Sequence, residues 1–155
     1  MAQPALTRTG PGRSLWSGVL LGIGFMAAVD EIVFHQILAW HHFYDRSTPA
    51  VSLLSDGLLH ASELVALVAG MFMMADLLRS RAFVPLFFWA GLFLGLAAFQ
   101  LFDGVVDHKV LQLHQVRYGV PILLYDLAWN LAGLALLLIG ALLWRRASRR
   151  RRAGP

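Results

Sequence analysis

Four long apolar stretches dominate this chain and restrict it to one kind of architecture. They run roughly Leu15–Trp40, Leu53–Leu78, Val84–Val106 and Ile122–Trp144, each with about the 20 residues a helix needs to cross a bilayer. The connections are short, around His42–Ser52, Ser80–Ala82 and Lys109–Val120, so consecutive helices are antiparallel neighbours. The expected fold is all-α, an integral membrane four-helix bundle running up-down-up-down. With 58% apolar residues in 155, one membrane domain over residues 14–145 absorbs nearly the whole chain. Residues 1–13, rich in Pro, Gly and Thr, and the Arg-rich residues 146–155 are expected to be disordered tails.

The formal charge of +4 invites a nucleic-acid reading, but its distribution favours a membrane one. Arg8 and Arg13 precede the first span, Arg79 and Arg81 separate the second and third, and six arginines from Arg145 to Arg152 follow the fourth. The other two loops carry only Arg46, Lys109 and Arg117. The positive-inside rule then places both termini in the cytoplasm of a bacterial inner membrane, with the C-terminal cluster anchoring topology and attracting anionic headgroups. Membrane lipids are expected partners, as is a homodimer or a respiratory membrane complex; nucleic acid is not. The first span also resembles a cleavable signal, with small residues at Ala27 and Ala28, but cleavage there would break a pattern that recurs later, so the span is read as retained.

That pattern is a duplication. Trp16, Gly18, Gly22, Asp30, His35 and His41 recur at identical spacing as Trp89, Gly91, Gly95, Asp103, His108 and His114. Asp56, His60, Gly70 and Arg79 recur as Asp126, Asn130, Gly140 and Arg149. The chain therefore reads as two tandem helical hairpins, about 15–79 and about 88–145. Both hairpins enter the membrane in the same sense, about an axis along its normal. Gly18/Gly22 and Gly91/Gly95 are small-xxx-small pairs that permit close helix approach.

The repeated Asp and His positions lie inside apolar spans, where one Asp at a helix centre costs about 2.5–3.5 kcal/mol. All six histidines and most acidic residues gather toward the non-cytoplasmic ends. Bound metal, protonation within a hydrogen-bonded network, or a water-filled vestibule would relieve the cost. With no cysteine, thiolate sites are excluded, and a mixed Asp/His set suits Fe, Mn, Zn or Cu. The candidate metal ligands are Asp30, His35, His41, Asp56, His60, Asp103, His108, His114 and Asp126. Asp107, Glu63 and Glu31 are candidates for catalytic proton transfer. Met71, Met73 and Met74 lie near the opposite end and are read as packing.

Helical geometry groups these residues. Eleven residues are nearly three α-helical turns, so Asp30 and His41 are expected on one face, about 16 Å apart and unable to hold one ion together. Glu31, His35 and His42 form a second face. Asp56, His60 and Glu63 line up along the second helix, where neighbouring carboxylate and imidazole form a local chelate. No Lys or Arg is expected to pair with the carboxylates, Lys109 and Arg117 lying at the edge.

The runs His35-Gln36-Ile37-Leu38-Ala39-Trp40-His41-His42, Asp56-Gly57-Leu58-Leu59-His60-Ala61 and Asp103-Gly104-Val105-Val106-Asp107-His108, with His114-Gln115-Val116-Arg117, resemble an uncharacterised family of small bacterial membrane proteins, a domain-of-unknown-function family, over roughly residues 15–145. Glu31 departs from the Gly commoner in that family. The resemblance implies a bacterial four-span protein, supplies no activity, and connects the chain to assembly of copper-containing terminal oxidases. The preferred expectation is an intramembrane Asp/His metal site, dinuclear because of the duplication. It would serve redox, oxygen or water activation, or metal handling for respiratory complexes. The alternatives are a haem b electron carrier with His35 and His108 as axial ligands, an ion-coupled transport path, and a structural subunit.

Overall fold

The computed structural model describes residues 10–153. The chain is a four-span, all-α membrane protein: α1 (Gly10–Val29), α2 (Pro49–Arg79), α3 (Pro85–Leu101) and α4 (Ile122–Ala153). Pro49 and Pro85 open α2 and α3, at the first helical position where a missing N–H costs nothing. Between the described ends, the helices are longer than the apolar runs. α1 already begins at Gly10, and α4 carries Arg145–Arg152 in helical conformation, so the described parts of the expected tails are helix. Ala and Arg are good helix formers, and cations suit the C-terminal end of a helix dipole. Residues 1–9 of the expected N-terminal tail lie outside the described residues.

The helices stand in the order α2–α1–α3–α4. α1 packs against α2 and α3, and α3 against α4, while α2 reaches neither α3 nor α4. The central α1–α3 contact is made by glycine. A Cβ added to Gly91 or Gly95 would strike the Leu15 or Val19 carbonyl oxygen, and one on Gly18 or Gly22 would strike that of Phe88 or Leu92. Lipid supplies no hydrophobic drive between helices, so dense backbone packing of this kind holds the pair together. Ser17 Oγ donates to the Gly70 carbonyl (2.9 Å) and fastens α1 to α2. The flanking helices α2 and α4 turn Leu54, Phe72, Leu124 and Leu138 outward, as suits lipid contact.

At one end of the molecule α1 and α3 change their winding. Asp30–Ile37 and Phe102–Val110 continue them as π-helix, in which each N–H reaches back five residues. The exits are alike. Leu38 N donates to Val33 O and Trp40 N to Phe34 O; Leu111 N donates to Val106 O and Leu113 N to Asp107 O. Ala39 (φ 47°) and Gln112 (φ 51°) take the left-handed conformation, which turns the chain back over the helix end. The α-helical separation of Asp30 from His35 therefore fails, while Glu31 and His35 stay side by side as expected. His35 is five residues past Asp30, about 140° away on an α-helix, yet the wider winding sets it over Asp30.

Candidate metal centre

The two π-helical turns and the two loops that fold back from them bring six buried side chains to one place. His35 Nε2 lies 3.4 Å from Asp30 Oδ2, and His41 Nε2 lies 3.8 Å from Asp30 Oδ1. In the second half His108 Nε2 is 3.1 Å from Asp103 Oδ2 and His114 Nε2 is 3.2 Å from Asp103 Oδ1. The Nε2 atoms of His108 and His114 are 2.9 Å apart. His41 and His114 stack with ring centroids 4.5 Å apart and planes 4° from parallel, which joins the halves. The expectation that Asp30 and His41 stand about 16 Å apart is corrected: the helix stops at Ile37, and the reversal at Ala39 returns His41 to the carboxylate.

Each imidazole but one is fixed through its other nitrogen. His41 Nδ1 donates to the Val116 carbonyl and His114 Nδ1 to the Phe43 carbonyl, both at 2.9 Å. Each loop thus orients the histidine of the other. A carbonyl only accepts, so Nδ1 carries a proton in both rings, and a ring that is neutral presents its Nε2 lone pair to the carboxylates. Burial, then the neighbouring His114 and His35, push His41 down to about 3, so its ring is neutral. For His114 burial acts downward, but the adjacent Asp103 carboxylate, and then the charge of Asp30, outweigh it and raise the ring above its ordinary value. His35 Nδ1 is 2.8 Å from Glu31 Oε2 and 3.2 Å from Asp56 Oδ1, the carboxylate–histidine arrangement that accompanies metal ligation. Both oxygens of Asp30 and of Asp103, with His35 Nε2 and His41 Nε2, find no hydrogen-bond partner among the described residues.

The other sequence candidates stand around this set. Asp56 lies behind His35, and its Oδ2 accepts from His42 Nδ1 at 2.6 Å, so it is a support at the far side of the ring and not part of the Nε2 group. Glu31 supports His35 in the same way and accepts from Gln36 Nε2. His60 is half-exposed and paired with Glu63 (2.6 Å), away from the four central rings. Asp126 is paired with Lys109, and its backbone carbonyl accepts from Asn130. That pairing corrects the expectation that no basic side chain reaches the carboxylates, because the π-helical turn carries Lys109 back toward α4. Asp107 is buried on the second π-helical turn.

Sequence reasoning gave no part to the carbonyls of Phe43 and Val116. Their identical spacing from the aligned histidines was the available signal, but a backbone atom leaves no trace in residue type.

The two halves differ where their sequences differ. Gly104 replaces Glu31, and the space beside it holds Trp129 and Asn130. His108 Nδ1 accordingly lacks the carboxylate that His35 has, and is without a partner among the described residues. A polar cavity of about 500 Å³ opens at this end beside His108 and His114, walled by Asp45, Arg46, Lys109 and Tyr118.

The chain belongs to the family described as predicted membrane protein (DUF2243), whose model matches residues 17–147 and so takes in every residue of the cluster. No curated protein and no solved structure matches it.

Proposed function

We propose that this membrane protein binds transition metal through Asp30, His35, His41, Asp103, His108 and His114. The observation that carries the reading is the convergence of the buried Asp30 and Asp103 oxygens with the Nε2 atoms of His35 and His41, all without hydrogen-bond partners among the described residues, on rings whose Nδ1 atoms are held from behind. Separations of 2.9–3.8 Å between donor atoms are those between neighbouring ligands bound to one ion at about 2.0–2.2 Å. Without a cation, two buried carboxylates side by side are expensive. Each half offers one carboxylate and two imidazoles, a set that suits Fe, Mn, Zn or Cu(II) and, with open positions, oxygen chemistry at iron. Two such sets support a dinuclear centre, one ion per half, and the shared spacing of the halves supports a duplicated hairpin. A metal there would act as Lewis acid or redox centre. The chain's own residues hold the imidazole tautomers, exclude lipid, and place Glu31 and Asp56 against His35 as proton-accepting groups. The polar cavity at His108 and His114 gives solutes a way in, which fits oxygen or water activation and metal handling alike.

The distribution of arginine supports an inner-membrane protein with cytoplasmic termini and the centre toward the outer face. The packing of the rings favours metal ions over haem. His35 meets His41 at 4.6 Å and His114 at 6.3 Å between centroids, so the space beside His35 that a porphyrin would occupy is taken by imidazole.

The test is elemental analysis of detergent-purified protein from metal-replete cells, with an absorption spectrum of the same sample. Up to two transition-metal ions per chain, lost in a folded H35A/H108A variant, is the expected result. Metal-free, colourless wild-type protein, or full metal content in the double variant, overturns the reading.

A further inference from the structure

An apolar groove of about 440 Å³ lies on the membrane-facing side where α1 and α4 stand apart across α3. Its walls include Met26, Phe34, Ala128 and Ala132, and Trp129 forms part of its surface. At the loop end it is closed by Trp40 and Tyr125, whose rings meet edge to face at 5.7 Å. Over both lies the Arg117 guanidinium, 4.7 Å from the Trp40 centroid and 5.6 Å from that of Tyr125. One guanidinium N–H donates to the Tyr125 hydroxyl at 2.9 Å, and among the described residues Arg117 pairs with no carboxylate.

A guanidinium held against aromatic rings and bonded to a hydroxyl keeps its remaining donors in place for a phosphate or carboxylate. Here it stands at the interfacial end of an oily slot, so charge and shape call for one molecule with an anionic head and an alkyl chain. The feature belongs to one side only: Tyr44, Leu113 and Ser55 occupy the positions corresponding to Arg117, Trp40 and Tyr125. Simple packing of a two-fold molecule does not require that difference.

We infer that this groove seats one anionic phospholipid, its phosphodiester on Arg117 and an acyl chain along Phe34 and Trp129. The inference goes beyond metal binding and does not depend on it. It also places an acyl chain beside the centre, because the Trp129 ring lies 6.1 Å from the His108 ring and 5.0 Å from Phe34.

Native mass spectrometry of the full chain, released from micelles doped with equal phosphatidylglycerol and phosphatidylcholine, tests it. The wild type is expected to retain one phosphatidylglycerol with at least a tenfold preference over phosphatidylcholine. Arg117→Gln should lose the preference while still holding some lipid of either kind, and Ala132→Phe, which fills the slot, should hold neither. Equal retention of the two lipids by the wild type overturns the proposal without needing any variant to fold. Undiminished preference in Arg117→Gln, or displacement of phosphatidylglycerol by equimolar oleate, does the same. Metal content read from the same spectra separates this outcome from failure of the metal reading.

Discussion

Replacing Gly91 by Ala adds one methyl group at the glycine that, among the described residues, stands closest to a neighbouring helix backbone. The new Cβ would face the Leu15 carbonyl oxygen and lie 2.9 Å from the Leu15 carbonyl carbon and 3.0 Å from Val19 N, all backbone. Ordinary contact begins at 3.4 Å, and backbone within a helix cannot swing aside as a side chain can. Relieving the contact with the Leu15 carbonyl oxygen takes a shift of α1 against α3 on the order of an ångström, and overpacking of this kind costs about 1–3 kcal/mol. Ala is a better helix former than Gly by about 0.5–1 kcal/mol, so the net destabilisation of Gly91→Ala is about 0–2.5 kcal/mol. Gly57 supplies the control. A Cβ there meets nothing within 4 Å, so Gly57→Ala keeps only the helical gain and stabilises by about 0.5–1 kcal/mol. The two variants should differ by about 1–3 kcal/mol, roughly five- to 150-fold in the unfolding equilibrium. Reversible denaturation in mixed micelles, followed by far-UV circular dichroism, measures both. A Gly91→Ala protein as stable as Gly57→Ala would refute the argument that backbone contact sets the α1–α3 distance. Because Asp30 and Asp103 ride on these helices, metal content should fall with stability in Gly91→Ala and stay unchanged in Gly57→Ala.

Other consequences follow from the same geometry. Ala39 and Gln112 hold positive φ without being glycine, so Ala39→Gly or Gln112→Gly should each raise stability by about 1 kcal/mol in the same denaturation assay; a loss would show that the side chains contribute more than the strain costs. Ser17→Ala removes the buried hydrogen bond to Gly70 O and should cost about 0.6 kcal/mol, a typical value for interhelical bonds in membrane. His41→Ala should remove at least half of the bound metal, whereas His42→Ala, lying behind Asp56, should leave more than half in elemental analysis. Glu31→Gln keeps the size of the side chain but replaces the carboxylate facing His35 Nδ1, and metal affinity should fall about 10- to 100-fold in a chelator competition.

Much of the fold was legible because hydrophobic length and loop length are one-dimensional quantities. Four spans, their antiparallel order and the glycine pairs carried by the first and third helices can each be read from spacing alone. The order α2–α1–α3–α4 was not legible, since it depends on which helix faces meet, and small residues mark a close approach without saying how the flanks are placed. For the site, spacing identified Asp30, His35, His41 and their counterparts as residues that belong together. The same spacing misassigned their faces, because it assumed 3.6 residues per turn through a segment that winds more widely. It also grouped His60 and Asp126 with these six residues, and their positions on α2 and α4 place them beside Glu63 and Lys109.

The sequence by itself determined that costly groups would be held inside a membrane domain, and that they come as two equally spaced sets. Hydropathy and repetition carry that information because every apolar span and every repeated Asp or His is a local fact of the chain. Only the tertiary structure decided which atoms meet. Widening each helix end by about one residue per turn, and reversing the chain at a left-handed residue, moves His41 and His114 from far along a helix axis to within 4 Å of Asp30 and Asp103. That movement depends on backbone hydrogen bonds and on carbonyls of the opposite loop, which residue identity does not encode.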